Sequence, residues 1–242
     1  MIRNTEVHKS LFLGPLRLAA YVLLIGCLFV GLSFSSTAHA GTIPLSSNVS
    51  EQVDPNGVPL PDPIDAADLD ATLDFVISGT SLELTVTNQT SGDELFDINE
   101  VYFNATSNVT GLTYISATHS VGGDVTGGWS SNVDDQADGF GIHDFAMIDG
   151  VGANNPNHIR PTQSILFELT ISGTGPFAMS DFTTELSRGS NSPMLAVAKF
   201  VNRRDSSGVE TLPNDSAFGA TPEPATLLLA ALGLLGLPLR RR

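Results

Sequence analysis

The chain has 242 residues, 41% of them hydrophobic, with 23 Gly, 14 Pro and a formal net charge of −15. That length, less two apolar ends, leaves room for one globular domain, and the Gly and Pro content points to many turns. No Lys or Arg occurs between Leu18 and Ile159, and a surface so acidic excludes nucleic acid and anionic lipid as partners of the body while attracting divalent cations or basic polymers.

Residues 1–17 carry Arg3, Lys9 and Arg17 ahead of the apolar run Leu18–Leu32, and Ala38-His39-Ala40 sets small residues at the −3 and −1 positions of a signal peptidase site. This layout predicts a signal peptide over residues 1–40, with an apolar helix at its centre and cleavage after Ala40. Leu24-Ile25-Gly26-Cys27 offers lipidation as a rival, but the apolar Leu28-Phe29-Val30 stands where a lipidated cysteine carries a polar tether. Cys27 is the only cysteine, so the body folds without disulfides. Residues 41–70, with Asp54-Pro55-Asn56-Gly57 and Pro59-Leu60-Pro61-Asp62-Pro63, read as an extended leader, since proline at that density blocks helix and sheet ladders.

From Thr72 the pattern turns to period two. Thr72–Ile77 and Leu82–Thr87 form a hairpin about Ser78-Gly79-Thr80, with Leu82, Leu84 and Val86 on the core face. Further strands are expected at Ile98–Asn104, Leu112–Ala117, Gly141–Ile148, Ser164–Ile171 and Met194–Val201, with a short one at Phe177–Phe182. No window shows a sustained 3.6-residue apolar stripe. The expected fold is therefore all-β: an antiparallel two-layer β-sandwich over residues 71–201, of jelly-roll or immunoglobulin-like order. The signal helix precedes it and a short C-terminal transmembrane helix follows. Ser120–Phe140 reads as a long loop and residues 202–220 as a polar linker.

Candidate chemistry is sparse. Asp134, Asp135 and Asp138 sit on a Gly-rich stretch and form the best candidate for Ca²⁺, which takes six to eight oxygen ligands, although their spacing matches no specific calcium loop. Trp129, the only Trp, with Tyr102 or Tyr114, is a candidate platform for stacking a sugar ring, against the plainer reading as core packing. His119, His143 and His158 lack zinc-ligand spacing, and no Gly-x-Ser-x-Gly elbow or phosphate loop occurs, so no catalytic residue is named. The expectation is a non-enzymatic protein without a cofactor. A carbohydrate-binding module and a secreted glycoside hydrolase or lyase are the alternatives.

The C-terminal stretch is the most specific. Pro222-Glu223-Pro224, an apolar segment over residues 225–239 and Arg240-Arg241-Arg242 follow one another. In this order and spacing they resemble the sorting signal of the PEP-CTERM class of exported bacterial proteins. The resemblance implies recognition and cleavage by a membrane-embedded exosortase, a Gram-negative host that makes exopolysaccharide, and a surface or biofilm-matrix destination. It transfers routing, not activity. Ala137-Asp138-Gly139-Phe140-Gly141 with His143-Asp144-Phe145 also resembles a recurrent globular body in that class. The three arginines hold the C-terminus in the cytoplasm. The apolar segment, about 22 Å of helix at ~1.5 Å per residue, is short for a hydrocarbon core of ~30 Å and suits a transient inner-membrane hold.

Overall fold

Period-two burial builds the framework. In β3 (Ala71–Ser78) Ala71, Leu73, Phe75 and Ile77 are buried while the residues between them are not, and β4 (Ser81–Asn88) buries Leu82, Leu84 and Val86 in the same way. The turn between them needs Gly79, whose φ of 62° is costly for any side chain with a Cβ. The structure is a computed structural model that describes residues 38–45, 47–48, 69–92, 94–137, 139–150, 155–190, 193–205, 207 and 210–221. It is all-β, with two antiparallel sheets.

The remaining strands are β1 (His39–Leu45), β2 (Ser47–Asn48), β5 (Glu94–Phe103), β6 (Val109–His119), β7 (Gly123–Asp124), β8 (Trp129–Ala137), β9 (Gly141–Asp149), β10 (Ser164–Gly173), β11 (Ala196–Asp205) and β12 (Glu210–Thr221). One sheet runs β1-β3-β4-β10-β6-β7 and the other β2-β12-β11-β5-β9-β8. Consecutive strands repeatedly change sheet, β4 to β5 to β6 and β9 to β10 to β11, as in a two-layer β-sandwich. Between the sheets lies an aromatic centre: the Phe75 ring sits 5.6 Å from both Phe103 and Phe182, edge-on to the first and stacked on the second. All three are fully buried.

The seven longer strands expected from the sequence are present. The short one at 177–182 is instead a single 3-10 turn, Met179–Asp181. Asp181 makes that turn: its carboxylate accepts the Ala178 N–H at 2.9 Å, the Thr106 hydroxyl at 2.7 Å and the Asn108 amide at 3.0 Å. Phe182 is thereby turned into the core.

Three stretches expected to lack sheet structure carry strands. The last two residues of the expected signal peptide and the start of the leader form β1, which pairs with β3 from His39↔Ile77 to Leu45↔Ala71 and buries Ile43 and Leu45. The leader also supplies β2, which pairs with β12. The linker contributes β12, which pairs with β11 from Ala196↔Thr221 to Arg204↔Glu210. The long loop contributes β8, in register with β9 from Trp129↔Asp149 to Ala137↔Gly141. Each pairs along one side with a strand that was legible; as edge or near-edge strands they show little of the apolar alternation that marks a buried one. No helix among the described residues is long and apolar enough to cross a membrane. The expected signal helix and the C-terminal helix over 225–239 fall outside the described residues.

Candidate functional site

A groove with converging polar groups lies where the β5–β6 connection, β8, β9 and the 185–188 loop meet. It encloses about 490 Å³, and Thr106, Thr110, Asp134, Asp144, Glu185 and Arg188 line it. Its geometry begins with a glycine. Gly141 opens β9 at φ 90°, and a Cβ there would sit 2.4 Å from the Arg188 carbonyl oxygen. The absent side chain lets Ile142 and Arg188 exchange backbone hydrogen bonds of 2.8 and 2.9 Å. Ser187 Oγ donates to the Phe140 carbonyl at 2.5 Å, and Ser190 Oγ donates to the Gly139 carbonyl at 3.0 Å. The 187–190 loop is thus pinned to the β8–β9 turn.

Pinned there, Arg188 reaches two acids. Its guanidinium pairs with Asp134 and, at 3.0 Å, with Asp144 Oδ1. Asp144 is fixed from behind. Its Oδ2 accepts the Ala105 N–H at 3.0 Å, and its own N–H donates to Asn104 Oδ1 at 3.2 Å. Asn104 is buried, and its amide donates to the carbonyls of Met194 and Leu195. The groove therefore presents a preorganised guanidinium–carboxylate pair beside hydroxyls, with the exposed Val133 on its rim. Such a set hydrogen-bonds polyols or planar polar groups and offers no activated nucleophile.

Of the three acidic calcium candidates, the two that are described are engaged by other groups. Asp134 is paired with Arg188, while Asp135 accepts from the Asn132 amide at 2.7 Å and the Gln136 N–H at 2.8 Å. Asp138 falls outside the described residues. No cluster of three or more His, Cys, Asp or Glu able to hold a metal occurs among the described residues. Asp134 takes a φ of 51°, so the regular alternation of side chains along β8 is interrupted at this position.

The stacking candidate is also corrected. Trp129 is 4% exposed, its ring stands edge-on to Phe167 at 5.0 Å, and Nε1 donates to the Asn157 carbonyl at 3.2 Å. Tyr102 is buried, and the half-buried Tyr114 donates to the Thr126 carbonyl. The apolar indole serves the core with its one polar atom satisfied, so no sugar face is offered.

The three histidines are all buried. His119 and His158 belong to hydrogen-bonded loops, and His158 joins a polar network the sequence did not announce. The β5–β11 register shifts between Val201 and Arg204, and Asn202 takes a φ of 58°. That bulge aims the Asn202 amide at Asp97 Oδ2 (3.1 Å) and His158 Nδ1 (3.2 Å). Because the amide donates to both, Nδ1 is an acceptor and the proton sits on Nε2, facing Asp149 Oδ2 at 3.6 Å. Arg204 donates to Asp97 Oδ2 at 2.7 Å, and Asn155 donates to Asp149 Oδ1 at 2.7 Å. Asp97, Asn202, His158 and Asp149 are each no more than 4% exposed, so this Asp–His pair meets no substrate and ties the 155–159 loop to the sheet.

His143 differs again. It is fully buried beside the Tyr102 ring, with centroids 5.7 Å apart, and neither ring nitrogen has a hydrogen-bond partner. Burial holds its pKa down to about 4; the Gly141 backbone opposes this only weakly, without bonding geometry.

At the end of β12 the chain matches the family model described as the PEP-CTERM protein-sorting motif, over residues 220–242. The chain carries a PEP-CTERM sorting motif. It is accordingly an exported protein targeted to an exosortase, its processing partner, and Pro222, Glu223, Pro224 and Arg240–Arg242 fall within the match. The match leaves the sandwich itself uncovered. No curated protein and no solved structure matches the chain.

Proposed function

We propose that this is a non-enzymatic surface or extracellular-matrix protein of a Gram-negative bacterium. A signal peptidase releases its N-terminus, its C-terminal segment holds it in the inner membrane, and exosortase processing delivers it to an exopolysaccharide-rich biofilm. The observation that carries this reading is the continuity of the sorting motif with β12: the sandwich is the cargo that the motif routes. The non-catalytic part draws support from the chemistry in view, since Arg188 pairs with both groove aspartates and the body histidines are buried. Deleting the exosortase gene tests the routing. The precursor should persist in the membrane fraction, whereas an unchanged mature mass and location would remove the reading.

A matrix carbohydrate-binding role is the second reading. It is favoured by the preorganised Asp144–Arg188 pair in an open groove, not by Trp129. Titration of the mature domain with host exopolysaccharide should show binding that Arg188→Ala weakens at least about tenfold, the scale of one lost charge-assisted contact. Binding unaffected by that change would place the ligand elsewhere.

A further inference from the structure

The sorting motif does not begin after the fold ends. The family match starts at residue 220, whereas β12 runs to Thr221, so the match overlaps the last two residues of a paired strand. Thr221 lies opposite Ala196 and its carbonyl accepts the Leu195 N–H at 3.1 Å. On the other side its hydroxyl donates to the Pro44 carbonyl. Ala220, 1% exposed, packs in the apolar cluster of Tyr102 and Val197 and pairs with Ser47 of β2. Over its last residues β12 is therefore held along both edges, by β11 on one side and by the N-terminal segment on the other. Moving from Gly219 to Thr221, it meets Asn48, Ser47 and then Pro44, so it runs back along the N-terminal segment toward the pole at which His39 enters β1.

A peptide-processing enzyme takes its substrate as an extended segment, with residues on both sides of the scissile bond inside the cleft and backbone edges free to pair with it. Between Thr221 and Pro222 there is no spacer, so residues 219–221 have neither edge to offer while the sandwich is closed. We propose that the sandwich gates its own sorting: Ala220 and Thr221 must unpair from β11, β2 and Pro44 before the adjoining tripeptide is processed. This inference rests on the exosortase reading above. The latch is built from the first residues beyond the signal cleavage site, so the N-terminal end of the domain controls the readiness of the C-terminal one. Local opening at a strand end needs only the last pairs to break, which sets a rate without unfolding the domain.

Pulse–chase of the full-length chain in an exosortase-bearing host tests this, comparing wild type with a chain carrying eight Gly/Ser residues between Thr221 and Pro222. The insert moves the tripeptide clear of β12 by up to about 28 Å and leaves every strand intact. Precursor conversion should become about tenfold faster, and Thr221→Val, which deletes only the hydroxyl contact to Pro44, should accelerate it about two- to threefold. Equal or slower conversion of the insert chain, with processing still lost in an exosortase-deleted host, overturns the gate alone. Processing that persists in the deleted host overturns the sorting reading and the gate with it. Thermal midpoints of both variants within a degree or two of wild type show that the acceleration does not come from global unfolding.

Discussion

At the scale of single residues, Gly141 and His143 sit two positions apart and carry different burdens. Gly141 combines a φ of 90° with a backbone oxygen 2.4 Å from where its Cβ would be. Gly141→Ala must therefore push the 187–190 loop away and accept strained backbone, costing about 3 kcal/mol in all. A fall of about 10 °C in Tm of the mature domain is expected by calorimetry; a change below 2 °C would show that the loop contact is dispensable. His143 pays for burial with a pKa of about 4 against 6.5 in the unfolded chain. As pH falls through 6.5 the unfolded state takes up a proton that the folded state refuses. Stability therefore declines between about pH 6.5 and 4 and levels off below. Between pH 7 and 5 the loss should be about 2 kcal/mol, and His143→Leu should abolish it in urea titrations. Asp181 acts in a separate window: burial alone would raise its pKa, but bonds from Thr106, Ala178 and Asn108 outweigh this and lower it. Its contribution is present above about pH 4 and is lost as pH falls further.

At the scale of elements, what the sequence made legible was whatever buries one face. The β3–β4 hairpin and β10 alternate because their even or odd positions line the core, and Leu82, Leu84 and Val86 announce this without help. Strand β8 does not: at the edge of its sheet, its residues from Ser130 to Asp134 are all exposed, so Ser-Ser-Asn-Val-Asp reads as loop. Its backbone is held by β9, the next strand in the chain, and a hairpin pairing of this kind leaves no apolar pattern on an edge strand. The candidate site was half legible for the same reason. Asp134 was visible as an acid on a Gly-rich stretch, but Arg188, 54 residues away, arrives only through the fold. The bulge at Asn202 is a further case, because register shifts leave no mark in composition. Its consequence is testable: Asp97→Ala leaves the partly buried Arg204 guanidinium, 19% exposed, and the Asn202 amide without their shared acceptor. Removing one partner of a buried pair costs about 3 kcal/mol, and the urea midpoint should shift accordingly with an unchanged m-value. A shift under about 0.5 kcal/mol would mean that the network is not what secures the 155–159 loop to β5.

For the whole molecule, the governing quantity is charge. A formal net charge of −15 and a sequence pI near 4.4 impose self-repulsion on a sandwich that has no disulfide to resist it. The Arg188 pairs offset little of this, because Arg188 is 59% exposed and exposed pairs are worth at most about 1 kcal/mol in water. Monovalent salt should thus stabilise the mature domain by shortening the Debye length from ~30 Å at 0.01 M to ~8 Å at 0.15 M, and Tm should climb smoothly over that range. The same experiment separates screening from a specific ion. With Asp134 committed to Arg188 and Asp135 to Asn132, added Ca²⁺ should raise Tm no more than NaCl of equal ionic strength once the generally stronger screening by divalent ions, measured with Mg²⁺, is subtracted. A saturable increment peculiar to Ca²⁺ and removed by chelator would reveal a site built with residues beyond those described, and would return calcium to the account of how this cargo is held folded after export.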